Sequence, residues 1–329
     1  MPYSASVIKR ARLRFDERKT EKAARYRKNL QEAYAQVPRL REIDRILSGS
    51  MAKVAQAAFA GGADAAHMME QLKQENLALQ CEYGALVQAN FGEGFLDDSP
   101  VCSICEDNGY IGSTMCRCMA RLCLEEQRKE IADLTTGAER FDAFRLEYYT
   151  DRIDRELGTS PRYIMEKNLE YCRHYASVFS EKSGNLLFVG GTGLGKTFLS
   201  ACIANEVTEK GWSVAYESAP RLFAKLEKER FNSDEESHRQ AEDLLQADLL
   251  IIDDLGTEMP GSFVTAALYS LVNERLLAGK RMIISTNLTI GEIAKRYSPQ
   301  IASRLQGSFR GLTFVGEDIR VMKSRGAMF

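Results

Sequence analysis

Along the 329 residues the spacing of apolar positions changes character three times. Residues 6–47 alternate basic, acidic and apolar side chains without a glycine, and residues 65–90 resume that texture after a Gly61-Gly62 break. Apolar positions recurring every three or four residues predict amphipathic helices. In the second stretch Met68, Leu72, Leu79, Leu86 and Val87 share one face, suited to a partner or to self-packing. Residues 91–124 abandon the period for Gly, Asp, Ser and Cys, the texture of a loop-rich unit held by something other than a core. A further amphipathic helix is predicted over 161–179. From residue 185 onward short apolar runs at 186–189, 213–216, 249–252, 282–285 and 312–315 alternate with helical segments. That alternation predicts an α/β unit, a parallel sheet with helices on both faces.

Composition narrows the class. With 44% apolar and 27% charged residues this is an ordinary globular chain, long enough for two domains. Its charged N-terminus lacks a secretory apolar segment, and no apolar run approaches the roughly 18 residues of a membrane span. The expectation is a cytoplasmic protein with no membrane partner. The net charge of −2 excludes a uniformly basic nucleic-acid binder, but residues 1–45 hold thirteen Lys or Arg against six Asp or Glu. That arm either attracts nucleic acid or an acidic protein face, or is a solvated helix.

The strand at 186–189 runs into Gly190-Gly191-Thr192-Gly193-Leu194-Gly195-Lys196-Thr197, which is G-x-x-x-x-G-K-T between a strand and a helix. Glycines let backbone N–H groups wrap phosphate oxygens, and the helix N-terminus adds its positive dipole end. Lys196 reaches the β and γ phosphates and Thr197 ligates Mg²⁺, so Gly191 through Phe198 form the predicted ATP cradle. The run at 249–252 ends in Asp253-Asp254, two carboxylates at the sheet edge where such folds bind ligands. Asp253 is expected to hold Mg²⁺ through water and Asp254 to polarise the attacking water, unless either acid only caps the following turn. Asn287, after 282–285, either contacts the γ-phosphate or lytic water or caps a helix.

Eight cysteines in a cytosolic chain are not expected to form disulfides. Cys81, Cys123, Cys172 and Cys202 fall singly in helical patterns, where cysteine behaves as a small buried hydrophobe. Cys102, Cys105, Cys116 and Cys118 instead cluster within 17 residues, with Gly109 and Gly112 between the pairs. Four thiolates suit a structural, tetrahedral Zn²⁺; free thiols or a redox pair are the alternatives.

The order of these motifs resembles AAA+ ATPases. Asp253-Asp254-Leu-Gly-Thr-Glu258, Asn273-Glu-Arg-Leu-Leu, Ile284-Ser-Thr-Asn287 and Ser303-Arg304-Leu resemble bacterial replicative-helicase loaders of the DnaC/DnaI type and the related IstB transposition helpers, over about residues 160–325. The resemblance implies that Arg304 acts as an arginine finger on a neighbouring subunit's ATP, so that the ATPase domains self-assemble; a surface ion pair is the other reading of Arg304. Asp318-Ile-Arg320 also matches a family motif, without a role for Arg320. With the sequence ending at Phe329, little chain is expected to remain for a helical lid. The implied organisation is a helical and zinc-binding N-terminal domain at 1–135 that grips a DnaB-type helicase, a linker and leading helix at 136–180, and an AAA+ ATPase domain at 181–329. Single-stranded DNA is an implied partner, with Arg221, Phe223, Lys225, Lys228 and Arg230 as candidate contacts or a solvated helix face. Three functions compete: an ATP-dependent helicase loader, an IstB-like transposition helper acting on duplex DNA with a transposase, and a nucleotide-dependent scaffold with negligible turnover. The cysteine cluster and the long basic helical region favour the loader.

Overall fold

Pro38 divides the long N-terminal helical pattern. Proline lacks an amide hydrogen and fits the first position of a helix far better than its interior. Helix α1 (Ala5–Gln36) accordingly stops just before Val37, and α2 (Pro38–Ala60) begins on the proline. The computed structural model describes residues 3–60, 63–132, 139–231 and 235–324. The expected break at Gly61-Gly62, the side chain of Met68 and the chain end at Phe329 lie outside the described residues.

The chain divides into two units, one of Met1–Arg12 with Met119–Phe329 and one of Leu13–Cys118. In the second, α3 (Ala63–Phe91) packs on α2, and Arg39 of α2 makes a forked bond to Glu82 of α3 at 2.8 and 3.1 Å. Leu72, Leu79, Leu86 and Val87 lie half-buried along one side of α3, as their spacing predicts, joined there by Asn76 and Tyr83. Cys81 departs from expectation: it points off that face and is exposed, whereas Cys123, Cys172 and Cys202 are buried. A short hairpin, β1 (Tyr110–Ile111) and β2 (Thr114–Met115), follows. The loop texture expected up to residue 124 ends earlier, because α4 (Arg117–Ala132) starts immediately after Cys116.

In the other unit α5 (Pro161–Ser177) is capped by Ser160, which accepts from the Tyr163 amide. Then come β3 (Asn185–Gly190), α6 (Lys196–Glu209), β4 (Val214–Ser218), α7 (Ala219–Phe231), α8 (Glu235–Gln246), β5 (Leu249–Leu255), α9 (Ser262–Leu277), β6 (Arg281–Thr286), α10 (Ile290–Arg296), α11 (Pro299–Ser308), β7 (Phe309–Phe314) and α12 (Ile319–Ser324). The five strands are all parallel in the order β4-β5-β6-β3-β7. Both faces are covered, so Leu249 through Ile252 are buried without alternation. One face packs on α5 and α6 through Met165, Cys172, Leu199 and Ile203. The other packs on α7, α9, α10 and α11 through Leu222, Leu268, Ile293 and Leu305.

Arg275, from the Asn273-Glu-Arg run, is fully buried and gives hydrogen bonds to the carbonyls of Leu244, Leu245, Ala247 and Arg281. It satisfies the open carbonyls at the end of α8 and ties them to the start of β6. Burial pushes its guanidinium down to about 9, with Arg281 adding and Asp248 opposing. No helix among the described residues is long and apolar enough to cross a membrane.

Candidate functional site: a phosphate cradle and a four-thiol cluster

The carboxyl ends of β3, β5 and β6 converge on a cavity of about 860 Å³. Thr192, Gly193, Leu194, Gly195, Lys196, Thr197 and Phe198 form its floor, and Asp254 and Asn287 stand above. Gly193 has φ of 74°, and a β-carbon there would fall 1.9 Å from Asp318 Oδ1, so only glycine fits. Gly195, also left-handed at 89°, caps α6 and lets the chain turn directly into the helix. Lys196 is 5% exposed and donates to the carbonyls of Gly190 at 2.7 Å and Gly191 at 2.6 Å, and to Asn287 Oδ1 at 2.7 Å. Burial pushes its ammonium below the ordinary lysine value, opposed by Asp254 and Asp253 and reinforced by Arg320.

Asp253 is buried at the end of β5, where Ser285 and Tyr216 hydroxyls bond its two oxygens. Asp254 follows in a left-handed conformation, φ 55°, at a register shift between Ile252 and Leu255. Beside that break in the ladder its carboxylate lines the cavity. Burial and the neighbouring Asp253 hold the Asp254 carboxyl above the ordinary range, against Lys196 and Arg320. The cap of α10 is Thr289, in a reciprocal box with Glu292, which frees Asn287 to face Lys196 and Thr192.

The remaining wall comes from two segments outside the phosphate loop and the acidic strand. Phe144, Tyr148 and Tyr149 lie in an irregular segment before α5, with Phe144 5.7 Å from Tyr149 and 5.8 Å from Phe198 between ring centroids. The Tyr149 hydroxyl donates to the Leu194 carbonyl at 2.9 Å, bracing the cradle from below. Ile319, Arg320 and Lys323 of α12 close the opposite side. Arg320 thereby gains a position the Asp318-Ile-Arg320 match left open: the Ile319 amide bonds the Gly193 carbonyl at 3.1 Å, fixing α12 to the phosphate loop.

The glycine crowding, the buried lysine and the polar rim fit a nucleoside triphosphate. The hydroxyl of Thr197 and the carboxylate of Asp253 are hard oxygen donors of the kind Mg²⁺ takes. Arg304 is not among the cavity residues. It sits on α11, bonded to Asn273 Oδ1 at 2.8 and 3.2 Å and stacked over Tyr269 at 4.6 Å, so its partners among the described residues are an amide and a ring in place of the carboxylate an ion pair needs. On α7, Arg221, Lys228 and Arg230 are exposed, but Phe223 is 4% exposed in the core under β5, which corrects its expected availability to a nucleobase. Lys225 pairs with Glu217.

In the other unit the sulfurs of Cys102, Cys105, Cys116 and Cys118 all lie within 4.8 Å of one another. A tetrahedral zinc with bonds of about 2.3 Å spaces its sulfurs roughly 3.8 Å apart, and the Cys102–Cys116 and Cys105–Cys118 separations are 3.9 and 3.5 Å. Asp107 accepts from the amides of Val101 and Cys102, and the Gly109 amide donates to Cys105 Sγ at 3.3 Å, so the first knuckle is built by backbone donors. Backbone amides of Cys105 and Ile104 hold the Cys102 thiol down to about 6. This donor set fits zinc.

Residues 166–303 match the family described as IstB-like ATP binding protein. The chain is 25% identical over 138 residues to the replicative helicase loader DnaC of Escherichia coli K12, covering 42% of this chain and 56% of that protein. It is 31% identical over 103 residues to the insertion sequence IS1162 putative ATP-binding protein of Pseudomonas fluorescens, 31% of this chain and 43% of that protein. The chain thus spans about half the length of these relatives. A crystal structure of the DnaC helicase loader aligns at 20% identity with a TM-score of 0.43, over 54% of this chain and all of that one. Together with the phosphate loop, the acidic strand and the five-stranded parallel sheet, the sequence matches show that residues 166–303 carry an IstB-like ATP-binding domain, similar to the DnaC helicase loaders and the IS21-type ATP-binding proteins.

Proposed function

We propose that this protein is an ATP-dependent loader that delivers a DnaB-type replicative helicase to single-stranded DNA. The observation that carries the reading is the pairing, in one chain, of a complete phosphate cradle with a separate helical unit, Leu13–Cys118, that ends in four clustered thiols. A transposition helper needs the first; the second supplies a dedicated surface for gripping a protein partner.

In the proposed cycle, amides of residues 192–198 and the Lys196 ammonium hold the β and γ phosphates. Phe144, Tyr149, Ile319 and Lys323 enclose the nucleoside end. Thr197 and Asp253 would hold Mg²⁺, which when bound would neutralise phosphate charge. Asp254 takes a proton as water attacks the γ phosphorus, Asn287 orients that water, and the bond to the β-bridging oxygen breaks. Arg320 offers a second cation from the same chain, and Arg304 serves the site of the next subunit in an assembly formed through the ATPase domains. Arg221, Lys228 and Arg230 contact the DNA backbone.

The full chain is expected to co-purify with a DnaB-type helicase. Association with an IS21-type transposase in place of the helicase would reverse the choice between loader and transposition helper.

A further inference from the structure

Asp253 and Asp254 sit where the sheet ladder fails them. The register between β5 and β6 slips between Ile252 and Leu255, so strand pairing does not fix the two acids on that side. One side chain takes over: Ser285 of β6, fully buried, whose Oγ accepts the Asp254 amide at 2.9 Å and bonds Asp253 Oδ1. A serine hydroxyl has a single hydrogen. Because the Asp254 amide is a donor and an ionised carboxylate can only accept, the direction of both bonds is fixed: Ser285 donates to Asp253 and receives from Asp254.

The second oxygen of Asp253 is held from the opposite strand. Tyr216 of β4, 4% exposed, lies with its hydroxyl 3.2 Å from Asp253 Oδ2 and 3.4 Å from the Thr197 carbonyl. A carboxylate outcompetes a carbonyl for the single phenolic proton. The hydroxyl stays beside the first turn of α6, so it sets the distance between Asp253 and Thr197, the two groups suited to Mg²⁺. Neither Ser285 nor Tyr216 lines the nucleotide cavity.

We propose that Ser285 and Tyr216 are positioning residues that clamp the Asp253 carboxylate from both sides, aim it at the metal held with Thr197, and so couple Mg²⁺ to nucleotide binding. The inference rests on the ATPase reading of this site. The clamp reaches the metal through Asp253 and neither hydroxyl touches the phosphate loop's donors, so removing either should leave the phosphate cradle intact while weakening the metal's contribution.

The test measures binding of a fluorescent ATP analogue to the full chain in EDTA and in Mg²⁺, for the parent, Ser285→Ala and Tyr216→Phe. In both variants the gain in affinity on adding Mg²⁺ should shrink by about fivefold or more, with affinity in EDTA within about twofold of the parent. Tyr216→Phe removes one oxygen without changing ring packing, so it remains informative if Ser285→Ala destabilises the chain. Mg²⁺ coupling equal to the parent's in both variants overturns the clamp. A parallel loss of affinity in EDTA also overturns it, because the hydroxyls would then be supporting the cradle itself. If the parent binds no nucleotide, the ATPase reading fails first and the clamp with it.

Discussion

Asp254 combines two unfavourable circumstances, a left-handed backbone and a carboxylate partly buried beside another carboxylate. Non-glycine residues in such conformations store strain that the surroundings must hold in place. Here Ser285 takes the Asp254 amide, and Thr257 returns its amide and hydroxyl to the Asp254 carbonyl at 3.2 and 2.8 Å. Burial, then Asp253, raises the carboxyl's pKa. A base acts only when ionised, so hydrolysis should fall as pH drops through this raised value, at higher pH than an ordinary aspartate would give. Asp254→Asn should lower turnover by about 10²–10⁴ with nucleotide affinity retained, and abolish that acidic limb. Steady-state hydrolysis against pH reads both effects; full activity in the variant removes Asp254 from the chemistry.

At the level of elements, the cysteine hairpin is held by few apolar contacts and many local bonds. Cys118 lies in the first turn of α4, Cys105 and Cys116 are buried, and the nearby Val101, Ile104 and Ile111 are exposed. Such a segment is suited to folding around a metal. Cys105→Ser should reduce bound zinc from about one per chain to a small fraction, with ATP binding in the other unit maintained. Zinc content equal to the parent's would refute the site. These elements also mark where sequence pattern speaks and where it does not. Leu186, Ile251 and Ile283 announce buried parallel strands because both faces of the sheet are covered, and the phosphate loop and Asp253-Asp254 are legible through their place at strand ends. The cavity wall is not: Phe144, Tyr148 and Tyr149 come from a segment without periodicity, and only tertiary packing brings them to Leu194 and Gly195. Arg320 belonged to a recognised motif, yet its role depends on α12 docking on Gly193, a contact no spacing rule contains. Phe223 misled for the converse reason, since an aromatic beside basic residues on a helix is as readily a core anchor.

Over the whole molecule, the unit that carries the phosphate cradle comprises Met1–Arg12 and Met119–Phe329, and Leu13–Cys118 form the other. The first residues of the chain are held within the cradle unit. Asp243 of α8 accepts from the amides of Ala5 and Ser6, Arg10 pairs with Glu126 and Glu130 of α4, and Gln127 donates to the Val214 carbonyl on edge strand β4 at 3.0 Å. In the proposed loader, ATP governs assembly of the unit that carries the cradle, while the Leu13–Cys118 unit holds the helicase. The most direct test is transfer of a DnaB-type helicase onto closed circular single-stranded DNA coated with single-strand binding protein, scored as helicase retained on the isolated circles. The account predicts that the full chain with ATP and Mg²⁺ raises the loaded fraction at least about tenfold, and that Lys196→Ala abolishes the gain. Loading that proceeds equally without the protein, or equally with Lys196→Ala, would contradict it.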